Sequence, residues 1–225
     1  MPSIAARYAA IRSKIAGAAD ACGRDAQSVT VVAVTKSVGV DEVRAALLAG
    51  VSEFGENRVQ EFVGKHGLFP EARWHFVGSL QSNKAKHVVG KAHLIHSVDS
   101  ARLLRHIERT AAERGVIQPV LLQVNVSGEA AKHGLEPAQL PDVLAEAGEM
   151  DSVEVRGLMT IAPLARAEEV RWVFRGLREL RDSMSAFLPD TIELEHLSMG
   201  MSGDYRVAVE EGATIVRIGR ALFGT

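Results

Sequence analysis

Residues 29–36 read VTVVAVTK, and this stretch decides the fold. The run is almost entirely apolar, rich in β-branched residues and too short for a typical helix. Such runs are typical of strands that are buried on both faces, as in parallel sheets. Helical patterns flank it over Ile4–Ala21 and Asp41–Ala49, and Gly50 ends the second of them. The chain therefore begins with a helix, a buried strand and a second helix.

The alternation of strand and helix then repeats along the whole chain. Further strands are predicted at Glu53–Gly55, Trp74–Gly78, Leu94–Val98, Val120–Val126, Val153–Met159, Ile192–Met199 and Ile215–Ile218. Helical patterns lie between them, over Arg58–His66, Asn83–Val89, Ala101–Arg114, Ala138–Ala147, Ala167–Ala186 and Asp204–Glu211. With the first strand, this predicts eight strands and seven intervening helices after one leading helix.

Alternating strands and helices predict an α/β fold with a parallel sheet. Eight such units in this length favour a closed, TIM-like (β/α)₈ barrel with an extra N-terminal helix, as one domain over residues 1–225. The alternative, an open doubly wound sheet, usually carries a glycine-rich first turn. Residues 34–40 read VTKSVGV, which is not the G-x-G-x-x-G pattern, and no P-loop motif is found. The barrel is therefore preferred.

Composition excludes several classes of function. The 225 residues are 47% hydrophobic and 24% charged, with a formal net charge of −2, so no basic field attracts nucleic acid. No apolar run approaches a membrane span and the N-terminus does not resemble a signal peptide. We therefore expect a cytoplasmic monomer. No metal is expected, because Cys22 is the single cysteine and His93 and His96 fall on opposite faces of a strand.

The site is expected where such barrels carry it, at the carboxyl ends of the strands. Lys36 ends the first strand, which spans Val29–Lys36, and partial burial there favours the neutral amine and thus imine formation with a carbonyl. Ser202 is predicted to cap a helix within residues 197–205, LSMGMSGDY, and helix N-termini bind anions. Arg217 and Gly219, at the end of the last strand, are expected on adjacent positions of the barrel mouth. Together they indicate a phosphorylated carbonyl ligand, either pyridoxal phosphate or a sugar phosphate.

Seven blocks resemble the pyridoxal phosphate homeostasis protein family, in family order and over essentially the whole chain. They are VAVTKSV around Lys36, FGENRVQEF from Phe54, WHFVGSLQSNK from Trp74, VNVSGEAAKHGL from Val124, GLMTIAP from Gly157, LSMGMSGDY from Leu197 and VRIGRALFG from Val216. The resemblance implies the barrel of alanine racemase without its second domain, and pyridoxal 5'-phosphate (PLP) as the ligand.

The resemblance also implies roles for individual residues. Lys36 corresponds to the lysine that forms a Schiff base with PLP, and Asn57 contacts the polar edge of the ring. Arg217 faces the pyridine nitrogen. The residues that hold the phosphate or line its site are Ser198, Met201, Ser202, Gly219 and Arg220. Two positions depart from the family pattern, since residue 220 is usually Thr or Ser and Ser79 replaces a bulkier residue.

The same residues argue against robust catalysis. An arginine stays protonated and leaves the pyridine nitrogen unprotonated, which makes the ring a poorer electron sink. Racemisation also needs a second acid–base group, and neither Tyr8 nor Tyr205 obviously supplies it. We therefore expect a PLP carrier or regulator that serves PLP-dependent apoenzymes. The alternatives are a weak amino-acid racemase or lyase, and a sugar-phosphate aldolase, for which no pair of carboxylates is apparent.

Overall fold

Eight parallel strands close into a barrel in chain order, β1 to β8, in a computed structural model that describes residues 2–129, 131–184, 188 and 191–224. The strands are β1 (Thr30–Val34), β2 (Glu53–Glu56), β3 (Arg73–Phe76), β4 (Leu94–Val98), β5 (Gln118–Gln123), β6 (Val153–Met159), β7 (His196–Ser198) and β8 (Ile215–Ile218). Strand β8 pairs with β1, with Thr30 opposite Ile215, and this pairing closes the barrel. The predicted α/β barrel is confirmed.

Helices follow the strands and form the outer layer. They are α1 (Ile4–Ala21), α2 (Val40–Leu48), α3 (Val59–Leu68), α4 (Ser82–Ala85), α5 (Ala101–Ala112), α6 (Leu140–Gly148), α7 (Arg171–Met184), α8 (Tyr205–Glu210) and α9 (Arg220–Phe223). Helix α1 precedes the barrel, as predicted, and packs against α8 and α9. None of the helices in the described part of the chain is long and apolar enough to cross a membrane.

The strands are buried on both faces, as the composition of residues 29–36 indicates. Outward side chains such as Phe54 and Trp74 join the large apolar core beneath the helices. A second, smaller apolar cluster fills the middle of the barrel: Val32, Leu94, Leu121, Met159 and Ile215. Buried polar residues, among them His75, His96 and Arg217, also lie on the strands. We call the rim at the carboxyl ends of the strands the mouth and the opposite rim the floor.

Two predicted elements are much shorter in the structure, and one helix of the structure was not predicted. The strand expected over Ile192–Met199 is shorter in the structure and comprises only β7. The described residues of this stretch that precede His196 do not pair with a neighbouring strand. The helix expected over Asn83–Val89 is helical only as α4 and continues as turns. Helix α9 was not predicted, since four residues are too few to show helical periodicity. The last two residues of the helix expected over Ala167–Ala186 lie outside the described residues.

Candidate functional site

Lys36 lies at the mouth, two residues after β1 ends at Val34. Its side chain is exposed, so the expected partial burial is wrong: the chain turns outward here, and Ser37 adopts a positive φ of 60°. The register pairs Val34 with Gly55, and the N–H of Thr35 donates to the carbonyl of Gly55 at 2.9 Å. Lys36 therefore lies at the end of the strand that neighbours β2.

Asn57 follows the end of β2, at the same level of the mouth. Its backbone lies so close to Gly78 that a Cβ added there would come within 2.2 Å of the Asn57 carbonyl oxygen. The side-chain Oδ1 of Asn57 is buried and has no hydrogen-bond partner. Asn57 is one of the residues that line a cavity of about 270 Å³, together with Gln123 and Ile161. A buried acceptor without a donor is costly, so this atom is suited to a ligand group.

Arg217 and Ser198 contact each other inside the barrel, just below the mouth. One guanidinium nitrogen donates to Ser198 Oγ at 2.6 Å, and another donates to the carbonyl of Thr160 at 2.9 Å. Burial lowers the pKa of Arg217 to about 10, against the opposing effect of the Asp204 charge, so the guanidinium remains protonated at neutral pH. A fixed positive charge therefore lies beneath the mouth.

The predicted capping role of Ser202 is wrong. Helix α8 begins at Tyr205, and Asp204 is its N-cap residue, whose carboxylate accepts from the N–H of Met201 at 2.6 Å. Ser202 instead lies in the preceding loop, where its hydroxyl accepts from the N–H of Ala221 at 3.1 Å. The reason is that the carboxylate of Asp204 closes the loop on itself. Ser202 therefore contacts α9 and does not cap α8.

The last strand leads directly into α9. A Cβ on Gly219 would lie 3.3 Å from the carbonyl oxygen of Val34, so the chain after β8 passes close to β1. Arg220 begins α9 and its side chain is exposed. Gly200, in the neighbouring loop, has a φ of +89° and its Cβ would contact Ala208 at 2.5 Å. Glycine is therefore required in this loop, which brings Ser202 against α9.

The structure thus brings the sequence-predicted residues to one end of the barrel. Ser198 and Arg217 are in direct contact, and Ser202 is joined to the start of α9 after Gly219 and Arg220. Lys36 and Asn57 follow adjacent strands. Met201 is exposed in the loop before α8.

A relay of polar groups below Arg217 was not predicted. His96 Nδ1 lies 2.9 Å from Ser198 Oγ, His96 Nε2 lies 2.8 Å from His75 Nδ1, and His75 Nε2 lies 2.9 Å from a carboxylate oxygen of Glu53. Burial keeps the pKa of His96 well below its ordinary value. Burial would raise the pKa of Glu53, but hydrogen bonds from His75 and Arg73 bring it below its ordinary value. These residues lie on four different strands, so no local pattern in the sequence indicates the relay.

With this geometry established, comparison with known proteins decides the family. Residues 7–225 match the family described as alanine racemase, N-terminal domain. The pyridoxal phosphate homeostasis protein of Aquifex aeolicus is 43% identical over 221 residues, covering 97% of this chain and 96% of that protein. The protein of the same name from Escherichia coli K12 is 36% identical, covering 100% and 97%. The chain belongs to the pyridoxal phosphate homeostasis protein family.

Solved structures agree with this family assignment. PipY of Synechococcus elongatus, solved without PLP, is 39% identical with a TM-score of 0.89, covering 98% of this chain and 100% of that one. PipY with PLP bound is 38% identical with a TM-score of 0.86, covering 98% and 100%. Alanine racemase of Clostridium difficile 630 is 16% identical with a TM-score of 0.67, covering 87% of this chain and 51% of that one, and shares the fold.

Proposed function

We propose that this chain, as one barrel domain over residues 1–225, binds PLP at the mouth and acts in PLP homeostasis as a carrier or regulator. The observation that carries the proposal is the unpartnered, buried Oδ1 of Asn57 at the rim where Lys36 also lies. The relatives named pyridoxal phosphate homeostasis protein support it, as does PipY, whose structure was solved with PLP bound.

The chemical groups of these residues match those of PLP. The ligand has an aldehyde, a ring with polar edges and a phosphate. Lys36 offers an exposed amine, and Asn57 offers an acceptor without a donor. Arg217 offers a fixed charge with polar hydrogens, held between Ser198 and Thr160. Ser202 offers a hydroxyl beside the first turn of α9, which Gly219 precedes.

The division of roles follows from these positions. When bound, PLP supplies an aldehyde that an amine can capture reversibly and a pyridine ring that can accept electrons. The amine of Lys36 would hold the aldehyde covalently, and its exposed position would also allow release. Ser202, with the backbone N–H groups of Gly219 and Arg220, would hold the phosphate. Arg217 would donate a hydrogen bond to the pyridine nitrogen and keep that nitrogen unprotonated.

Two features favour a carrier over a racemase. A guanidinium at the pyridine nitrogen weakens the ring as an electron sink, as argued from the sequence. Of the two tyrosines, Tyr8 lies on α1 outside the barrel and packs on the outer core. Burial raises the pKa of Tyr205, at the start of α8, which keeps its phenol protonated and unsuited to accept a proton. PLP-dependent apoenzymes are the proposed recipients. A cytoplasmic location and a monomeric state remain predictions from the sequence.

Absorption spectroscopy with PLP tests the proposal. Purified protein incubated with PLP and then desalted should retain one equivalent, with a visible band that differs from that of free PLP. Lys36→Ala should abolish the band. Lys91→Ala is the matched control, since Lys91 is an exposed lysine that precedes β4 at the floor, and it should retain the band. A wild-type protein that returns colourless from desalting would refute PLP binding.

Incubation of the loaded protein with L-alanine separates the carrier from the alternative enzyme. Chiral analysis of the amino acid over time should show no more D-alanine than free PLP produces. Rapid racemisation that Lys36→Ala abolishes would instead establish the racemase.

A further inference from the structure

The floor of the barrel holds a cluster of ligand-type side chains that the proposed function does not use. Glu53 is the first residue of β2, His75 lies on β3, and His93 immediately precedes β4. The three strands are neighbours in the barrel, and the register pairs His75 with Gly55 on β2 and with Leu94, the residue after His93, on β4. One ligand atom from each residue lies within 4.8 Å of the other two.

The cluster combines two buried residues with one that is exposed to solvent. Glu53 is 7% exposed and His75 is 2% exposed, whereas His93 is exposed at the surface. The rings of His75 and His93 are 5.4 Å apart and nearly perpendicular, at 74°. The ligand atoms of Glu53 and His75 are therefore held in the interior, and the side chain of His93 is accessible to solvent.

Each buried donor is oriented by a further partner. Oε2 of Glu53 faces His75, while Oε1 forms an ion pair with Arg73, so one carboxylate oxygen is already positioned from outside the cluster. His75 turns its Nδ1 to His96 and its Nε2 to the cluster. Metal-binding histidines and carboxylates are usually held by such partners, which set ring orientation and tautomer.

We infer that Glu53, His75 and His93 bind one divalent transition-metal ion of the Zn²⁺ class at the floor of the barrel. Two imidazole nitrogens and one carboxylate oxygen form a ligand set that Zn²⁺ takes in proteins, with a fourth position left to water. Imidazole also suits Co²⁺ and Ni²⁺, whereas Mg²⁺ and Ca²⁺ prefer oxygen ligands alone. His93 thus pairs with Glu53 and His75 rather than with His96.

The relay accommodates the ion through a change of tautomer in both histidine rings. A metal on Nε2 of His75 leaves the ring proton on Nδ1, which then donates to Nε2 of His96. The proton of His96 falls on Nδ1 and points to Ser198 Oγ, which accepts from His96 and from Arg217. The number of protons on the two rings is unchanged.

Metal competition on the full chain, without added PLP, tests the inference apart from the proposed function. The protein is stripped with a chelator, dialysed and titrated with Zn²⁺ against a chromophoric chelator. We expect one equivalent to bind. His93→Gln, at the surface, should weaken binding by at least about tenfold, since even an outer-shell partner contributes that much. Glu53→Gln should do the same. Co²⁺ should give a visible band that both variants lose.

The matched control is His106→Gln, which removes a partly buried histidine from α5 on the outer layer. It should bind Zn²⁺ as the wild type does. Equal affinity of His93→Gln and His106→Gln would overturn the inference, and so would failure of the wild type to compete at all. Circular dichroism of each variant establishes that it is folded, and His93→Gln, being exposed, keeps the test decisive if Glu53→Gln unfolds.

Discussion

Nδ1 of His75 lies 2.8 Å from Nε2 of His96, and this contact joins the floor of the barrel to its mouth. On one side His75 reaches Glu53, and on the other His96 reaches Ser198, which holds Arg217. Buried polar groups in such a line are stabilising only while each has its partner. His96 is fully buried. If its side chain were removed, water could reach His75 and Ser198 only after a change in packing.

Replacement of His96 by leucine should therefore destabilise the protein. His75 and Ser198 would each lose a buried partner, and an unsatisfied buried group costs about 1–3 kcal/mol. Urea unfolding measures the loss. His96→Gln, whose amide both donates and accepts, should lose less, which separates hydrogen bonding from volume. If His96→Leu were as stable as the wild type, the relay would contribute nothing to the fold.

Ser202→Ala should weaken binding of PLP more than binding of pyridoxal, which lacks the phosphate. Its hydroxyl lies beside the N–H of Ala221 at the start of α9, where the phosphate is proposed to bind. A hydrogen bond to a charged group contributes about 1.5–3 kcal/mol, which corresponds to roughly a tenfold to hundredfold loss of affinity. Equilibrium titration with both ligands checks this, and pyridoxal serves as the control. An equal loss for both would remove Ser202 from the phosphate site.

The fold could be predicted from the sequence because its signal is repeated. Each apolar run and each helical pattern contributes independently, so the misplaced ends at residues 192–199 and 83–89 did not affect the topology. The resemblance of seven blocks also supplied the mouth residues. Long-range side-chain contacts have no such signal: the attachment of Ser202 to Ala221 depends on where two loops meet. The relay from Glu53 to Ser198 joins four strands, and no local pattern links them.

A second contact that the sequence did not reveal lies directly beneath the mouth. Nζ of Lys65, on α3, donates to the carbonyl of Thr35 at 2.7 Å and pairs with the carboxylate of Glu56, which also accepts from the Thr35 hydroxyl. Glu56 is fully buried, and Lys65 is nearly so. Since Thr35 precedes Lys36 and Glu56 precedes Asn57, this buried pair fixes both strand ends.

Lys65→Met should consequently destabilise the protein strongly. It would leave the carboxylate of Glu56 buried without its cation, and loss of one partner of a buried ion pair costs about 3–5 kcal/mol. Urea unfolding gives the value. The double variant Lys65→Met/Glu56→Gln should recover part of the loss, because the remaining group is then neutral. No recovery in the double variant would show that packing of Lys65, not its charge, matters.

Glu211, a buried carboxylate directly after α8, lies among three arginines of α7. Arg171, Arg175 and Arg178 from α7 each approach it to 3.1 Å. Burial alone would raise the pKa of Glu211, but the hydrogen bonds from Arg175 and Arg171 outweigh it and bring the pKa below its ordinary value of 4.5. The carboxylate therefore stabilises the folded state above the pKa of the unfolded chain, and this contribution is lost as pH falls through the folded pKa.

Glu211→Gln should accordingly be less stable than the wild type at pH 7, by about 1–3 kcal/mol, the cost of removing a charged hydrogen-bond partner. The difference should shrink as pH falls below about 4.5 and vanish once the wild-type carboxyl is protonated. Unfolding by urea at a series of pH values measures it. Glu179→Gln, an exposed glutamate on α7, is the control and should change stability little at any pH. A difference that stays constant from neutral to acidic pH would mean that shape, rather than charge, makes Glu211 fit between the three arginines.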